Sequence, residues 1–252
     1  MNFETLHEQT TPLLICNVWD VPSAKAAARL NYPAIGTSSG AIATMLGYKD
    51  GEQISFEELY YMVERITTSV DLPLTVDLEA GYSRDVDVIV NHIQRLAALG
   101  VVGINLEDSL VGQERVLLPY PAFAKSLKAI CTALREQEIA IFVNVRTDTF
   151  LLGVDQPVSA TIDRAKAYQA AGAHGLFVPC VEKEKDMEAL VRELQLPLNV
   201  MCMPDLPDFD TLQKLGVKRI SMGNFVYAKL NQQLEQSLSA VLDDNSFKNL
   251  FS

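Results

Sequence analysis

The feature that most constrains this chain is an alternation of eight short apolar runs with longer amphipathic stretches. The runs lie at 13–18, 34–37, 74–77, 102–106, 140–145, 175–178, 198–201 and 219–221. Runs this short and this continuously apolar suit strands buried on both faces of a parallel sheet. The stretches between them, at 23–30, 56–69, 86–99, 123–137, 160–171, 183–194, 208–215 and 225–242, read as helices. Two of these stop at glycine, Leu99-Gly100 and Ala171-Gly172, where a left-handed cap residue belongs. Pro73 and Pro197 stand just ahead of strand runs, where a missing N–H is tolerated. Right-handed strand–helix crossovers repeated eight times close most simply into an α/β fold of the (β/α)8 TIM barrel type. A doubly wound open sheet is the alternative, but no GxGxxG follows the first run.

The 252 residues match the length of one such barrel, and no Pro/Gly/Ser-rich linker or block of like charge divides them. A single domain over 1–252 is therefore expected. With 48% hydrophobic and 21% charged residues, the chain has the material for a core, which excludes general disorder. The formal net charge of −11 argues against a nucleic-acid partner, because phosphate binding needs Lys and Arg. No uninterrupted apolar stretch is long enough to span a membrane, and residues 1–10, with Glu4 and Glu8, do not read as a secretory signal. Cys16, Cys131, Cys180 and Cys202 are scattered, with no CxxC pair, and read as reduced thiols of a cytoplasmic protein.

In barrel enzymes the reactive groups project from the C-terminal ends of the strands. Here those ends read Asn17-Val-Trp-Asp20, Thr37-Ser-Ser-Gly40, Asp77-Leu-Glu79, Asn105-Leu-Glu-Asp108 and Asn144-Val-Arg-Thr-Asp148. Acids from two strands thus face an arginine from the next. Ionised carboxylates gathered in a mouth need a counter-charge, and an all-oxygen set suits a hard cation such as Mg²⁺ better than zinc. Asp77 and Glu79 are two residues apart and would share a face of a regular strand. Taken singly, each acid reads equally as a helix cap or the partner of an arginine. Arg146 reads either as a brace for Asp148 or Glu107, or as a bidentate fork for a substrate carboxylate. Ser38, Ser39 and Gly40 read as a turn and cap, as an anion cradle, or as both. Trp19 reads as pocket wall, and Tyr48 and Tyr82 as rim or mouth residues.

These segments together resemble the isocitrate lyase/phosphoenolpyruvate mutase superfamily. The resemblance is carried by Asn17-Val-Trp-Asp20, Ala34-Ile-Gly-Thr-Ser-Ser-Gly40, Leu46-Gly-Tyr-Lys-Asp50, Val76-Asp-Leu-Glu-Ala-Gly-Tyr82, Gly103-Ile-Asn-Leu-Glu-Asp-Ser109 and Val145-Arg-Thr-Asp148, in order along nearly the whole chain. It implies an enzyme dependent on Mg²⁺, with Mn²⁺ as a substitute, acting on a small α-keto or 2-hydroxy carboxylate or a phosphonate analogue through an enolate. It places the metal at Asp77, with Glu107, Glu79 and Asp50 around it, partly through water. It places substrate on Ser38, Ser39, Gly40, Arg146, Trp19 and Asn105, and gives Arg146 and Glu107 the catalytic roles. It also implies a homo-oligomer, a dimer or tetramer, often with an exchanged C-terminal helix.

The departures narrow the chemistry. Isocitrate and methylisocitrate lyases carry a Cys- and His-containing loop after the fourth strand, where this chain has Ser109-Leu-Val-Gly-Gln-Glu-Arg-Val-Leu-Leu118. Those two activities are therefore not expected, and Gln113, Glu114, Arg115 and Tyr120 are left as candidates for the loop's role. The expected reaction is cleavage of a C–C or C–P bond. A metal-dependent pyruvate or oxaloacetate aldolase, a hydrolase, and a catalytically inactive binding barrel are the alternatives. Phe247, Leu250 and Phe251 near the C-terminus are expected to seal the barrel's bottom or dock on a neighbour.

Overall fold

The computed structural model describes residues 3–251 and closes the chain into an eight-stranded parallel barrel. Its first part runs β1 (Leu13–Val18), α1 (Val21–Arg29), β2 (Ala34–Thr37), α2 (Ser39–Met45), α3 (Phe56–Thr67), β3 (Leu74–Asp77), α4 (Val86–Ala98) and β4 (Gly103–Glu107). A hairpin of β5 (Ser109–Val111) and β6 (Arg115–Leu117) follows, then α5 (Tyr120–Glu136), β7 (Phe142–Arg146), α6 (Pro157–Ala171) and β8 (Gly175–Phe177). The chain finishes with α7 (Glu184–Glu193), β9 (Leu198–Met201), α8 (Phe209–Lys214), β10 (Arg219–Ser221) and α9 (Phe225–Asp243). Around the ring the order is β1, β2, β3, β4, β7, β8, β9, β10 and back to β1, while β5 and β6 pair antiparallel outside it.

All eight apolar runs are the barrel strands, five of them with coincident bounds and the rest within two residues. Helix starts carry their own signals. Asp20 and Ser55 close capping boxes on α1 and α3, and Asp85 and Asp208 cap α4 and α8. Gly172 ends α6 at φ 103°, where a side chain would be strained and its Cβ would meet that of Cys131 at 3.0 Å. Two elements escaped the sequence reading. α2 is short and made of Ser, Gly, Ala and Thr as much as of apolar residues. The hairpin is only three residues a side.

The main core lies between the ring and the helices. Ile35, Val76, Ile104 and Val143 from strands pack with Leu59, Val63, Ile66, Ile93 and Leu96 from helices, all at most 1% exposed. The bottom of the barrel is sealed by the start of the chain instead of its end. Phe3 and Leu6 pack with Leu13, Ile15, Ala34 and Phe142, and His7 stacks on Phe142 with ring centroids 4.2 Å apart. Phe247, Leu250 and Phe251, which are 68%, 51% and 88% exposed, therefore do not seal the bottom.

The barrel interior toward the mouth is polar. Asn144 Nδ2 donates to Asn105 Oδ1 at 2.9 Å, and Arg219 Nη2 approaches the same oxygen at 3.4 Å. Arg219 stands on β10 and Asn105 on β4, which lie opposite each other in the ring, so this contact crosses the barrel axis.

Candidate active site

A cavity of about 290 Å³ opens at the C-terminal ends of the strands. That is the small end of the range for ligand sites, fitting a metabolite and not a large cofactor. Its charged lining residues are Asp50, Asp77, Arg115, Arg146 and Arg219, with Ser38, Ser39, Gly40, Asn17 and Asn105 among the polar ones.

Asp77 ends β3 and is anchored twice. Its N–H donates to Thr37 Oγ1 at 2.8 Å, and its Oδ2 accepts from Ser39 Oγ at 2.8 Å. Its Oδ1 is buried without a hydrogen-bond partner. Burial raises its pKa, against the pull of Arg146 and the Ser39 hydrogen bond. Ser38 caps α2 through Ala41 N–H, so Ser39 and Gly40 supply the first-turn amides that helix geometry leaves without an internal acceptor. A Cβ at Gly40 would lie 3.4 Å from the Asp50 carboxyl. That is an ordinary contact distance, and it marks how near the Asp50 segment runs to α2.

Arg146 is both brace and wall. Its Nε donates to Asp148 Oδ1 at 2.7 Å, and its Nη1 lies 3.2 Å from Glu107 Oε2. Its guanidinium sits 5.8 Å from the centroid of the Phe177 ring. Although burial opposes the charge, Glu107 and Asp148 raise the pKa, so the guanidinium stays charged. The brace reading of this arginine is the one these contacts show, and the same side chain lines the cavity.

Arg115 is the residue that the loop sequence left undecided. It reaches down from the hairpin so that one nitrogen, Nη1, meets Glu107 Oε1 at 2.6 Å, Asp148 Oδ2 at 2.9 Å and Ser109 Oγ at 2.9 Å. Its Nη2 lies 3.9 Å from Asp50. Arg115 therefore pins the hairpin to the cavity wall. Gln113, Glu114 and Tyr120 do not line the cavity.

Three expectations change. Glu79 is not turned into the cavity, because β3 ends at Asp77 and Glu79 adopts a left-handed conformation at φ 49°. The two-residue strand spacing therefore does not apply. Both its oxygens are taken, Oε2 by Glu52 N–H at 2.7 Å and Oε1 by Tyr82 Oη–H at 2.7 Å. Burial, with Asp77 nearby, pushes Glu79 up to about 8. It ties the loop after β3 to the segment that carries Asp50. Glu107 stands behind the arginines, 2% exposed and outside the cavity lining, with burial raising it to about 7. Trp19 packs edge to face on Tyr227, centroids 5.1 Å apart, and faces an apolar groove beneath α9 instead of the mouth.

Tyr48 and Tyr82 are also absent from the lining. Tyr48 donates to Glu58, and Tyr82 to Glu79. Among the described residues no three His, Cys, Asp or Glu side chains converge on a common metal position. Of the acids expected around the ion, Glu79 and Glu107 are thus held outside the cavity lining. The donors left are Asp77, with its unpartnered oxygen, and Asp50, both on the cavity wall. Two carboxylates fit a largely hydrated Mg²⁺-like ion, which takes one or two protein oxygens and fills its sphere with water and substrate.

Sequence reasoning missed Arg219. It occupies the first position of a strand, whereas the search for site residues followed strand ends. It also left open which loop residue takes part, and a basic residue in the loop next to two buried acids was the available signal for Arg115.

A (β/α)8 barrel with arginines and carboxylates around one small polar cavity defines an enzyme for a small anionic substrate. The profile of the family described as phosphoenolpyruvate phosphomutase matches residues 3–242, and the chain belongs to that family. An uncharacterised protein of Mycobacterium tuberculosis is 34% identical over 228 residues, spanning 90% of this chain and 84% of its own. An oxaloacetate decarboxylase of Rhodopseudomonas palustris is 29% identical over 235 residues, with 90% and 79% covered. Among solved structures, a proposed phosphonomutase of Burkholderia cenocepacia superposes with a TM-score of 0.88 at 35% identity, over 94% of this chain and 97% of that one.

Proposed function

We propose that the chain is a divalent-metal-assisted lyase or mutase that breaks a C–C or C–P bond at C3 of a small 2-oxo or 2-hydroxy carboxylate. The observation that carries this reading is Asp77, which keeps one buried oxygen without a partner and lines the same cavity as Arg146, Arg115 and the first-turn residues of α2. Asp77 would hold Mg²⁺ or Mn²⁺ directly and Asp50 would hold it through water. The ion would supply electron withdrawal from the substrate's carboxylate and C2 oxygen.

The protein's own groups do the rest. When the bond at C3 of a 2-oxo acid breaks, its electron pair moves toward the C2 oxygen, giving an enolate that afterwards takes a proton at C3 from water. Arg146, clamped between Asp148 and Glu107, cannot swing to meet this charge, so its stabilisation is in place before the bond breaks. Ser39 holds Asp77 in one rotamer, and Arg115 closes the wall against water with the hairpin it anchors. The loop lacks the cysteine that isocitrate and methylisocitrate lyases, which the chain resembles, carry there. An electrophile that leaves without a protein-donated proton, such as CO2 from a 2-oxo dicarboxylate, matches this site best.

The test is turnover of oxaloacetate and phosphonopyruvate, with Mg²⁺ and with EDTA, by the wild type, Asp77→Ala and Arg146→Met. Metal-dependent turnover of either acid, lost in both variants, is the expected result. Undiminished turnover in Asp77→Ala would reject the assignment.

The same reading includes a second copy of the chain. α9 has no buried residue, and Val226, Leu230, Leu234, Leu238 and Leu242 recur every four residues along it with 46–81% exposure. Such a row covers itself by packing on another subunit. Four unpaired cysteines suit a reducing compartment such as the cytoplasm. No helix among the described residues is long and apolar enough to cross a membrane.

A further inference from the structure

Arg219 has a charge and no visible partner for it. The side chain rises from the first position of β10 into the barrel interior and is 1% exposed. Its Nε and Nη1 make no hydrogen bond, and its one contact is the 3.4 Å approach of Nη2 to Asn105 Oδ1. None of the ion pairs among the described residues includes it. Every other arginine in the cavity wall is held by two or more acids: Arg146 by Glu107 and Asp148, and Arg115 by these and Asp50.

A buried charge with no acid in contact is costly, and the one acid that acts on Arg219, Asp77, lies beyond ion-pair distance. The surroundings are those of an anion receptor. Asn199, the register neighbour of Arg219 on β9, stands behind the cavity lining and backs it with a second buried donor, Nδ2, that has no acceptor. Across the barrel, Thr75 Oγ1 is also unpartnered and lines the same cavity as Arg219. Four groups at three residues, Arg219 Nε and Nη1, Asn199 Nδ2 and Thr75 Oγ1, thus lack partners, and Arg219 and Thr75 share the cavity with Asp77 and Arg146. Burial lowers the Arg219 pKa to about 10, still well above neutrality, so the group is a cation at working pH.

We propose that Arg219, with Asn199, forms a second anion subsite on the floor of the barrel, which receives a carboxylate-sized anion beneath the group held by Arg146. Where the substrate reading above holds, this subsite takes the distal carboxylate of a 2-oxo dicarboxylate and selects it over a 2-oxo monocarboxylate. A free carboxylate or bicarbonate ion offers the same chemistry, and the test separates the two sources.

The experiment compares wild type, Arg219→Met and Asn199→Leu. Thermal unfolding is followed against formate, and calorimetric titration against pyruvate and 3,3-difluorooxaloacetate, with Mg²⁺ present. Arg219→Met removes an unpaired charge from an apolar-stemmed position, so it should fold with a melting temperature at or above that of the wild type. Asn199→Leu provides an independent probe if it does not. Formate should raise the wild-type melting temperature and leave Arg219→Met unmoved. The preference for the dicarboxylate over pyruvate should fall at least about tenfold in Arg219→Met and less in Asn199→Leu, since a charged hydrogen bond is lost in the first case.

If formate and the dicarboxylate compete, the subsite takes the substrate's own carboxylate. If they bind together, it takes a free anion. Formate stabilisation through Arg219 without binding of either oxo acid would keep the subsite and remove the substrate reading. Equal responses of wild type and Arg219→Met to all three ligands would overturn the proposal.

Discussion

Acid should loosen the floor of this barrel through one residue. His7 is 3% exposed, stacked on Phe142 and edge-on to Phe3, and its Nδ1 lies 3.1 Å from the Phe3 carbonyl oxygen. Its Nε2 has no partner, so a proton added there would be buried and unsolvated, with Arg219 repelling it from above. Burial, aided by Arg219, lowers the pKa from 6.5 to about 4. Between these values the unfolded chain binds a proton that the folded protein refuses. The stability contributed by neutral His7 is therefore complete above about pH 6.5 and is lost as pH falls toward 4. Linkage gives a loss of about 2 kcal/mol at pH 5, rising to about 3.4 kcal/mol below pH 4. In a chain of this length, 2 kcal/mol lowers the melting temperature by roughly 4–8 °C.

Other buried groups titrate as well. Glu79 and Glu107 have raised values and favour the folded state as pH falls, which opposes the effect of His7. The comparison with His7→Phe isolates the histidine. That variant keeps the stacking area, and the Phe3 carbonyl retains the Leu6 N–H at 3.2 Å. Urea denaturation of both proteins at pH 8 and pH 5 should show the wild type losing about 2 kcal/mol more than the variant. Equal losses would mean that His7 is hydrated or already charged in the folded protein, and the account of the floor would fail.

Two further outcomes follow from the geometry. Arg115→Met leaves Glu107 and Asp148 with Arg146 as their remaining cation, and should destabilise the protein by about 3 kcal/mol in urea denaturation; a loss under 1 kcal/mol would show that the hairpin is not pinned. The double change Leu234→Asp and Leu238→Asp on the exposed row of α9 should leave the circular dichroism spectrum intact and convert an oligomer into monomer by light scattering; unchanged mass would free α9 from any role in association.

The strands were legible because each is short, apolar and bounded by turn residues, and because a parallel ring buries both faces of every strand. Residues placed by strand ends were legible for the same reason. Asp77, Asn105 and Arg146 sit at or near the tops of β3, β4 and β7, and Ser38–Gly40 sit just past β2. Two of the failures share one cause, whereas Glu107, the last residue of β4, is held behind the cavity wall by Arg115 and Arg146. Glu79 and Trp19 lie one or two residues beyond a strand, where the chain leaves the regular geometry that fixes a side chain's direction. Arg219 failed in the opposite sense, because a long side chain from the bottom of a strand spans the interior and delivers its charge to the far end. Phe3, Leu6 and His7 close the barrel, and three such residues are too few to show a period in the sequence.

Arg219 also marks where the ring joins. Leu13 of β1 pairs with Arg219 of β10, and the Leu13 N–H bonds the Lys218 carbonyl at 2.9 Å, so the two ends of the sequence meet at one seam. Joining residues so far apart in the chain carries the largest loop-closure entropy of any strand pair in the ring. In kinetic terms this seam is set to form late, after neighbouring strands have assembled in sequence order. The Leu13 amide is accordingly the natural reporter of transient ring opening in hydrogen exchange. An anion seated on Arg219 would bind only the joined form, so occupancy of the site and persistence of the seam are two sides of one equilibrium.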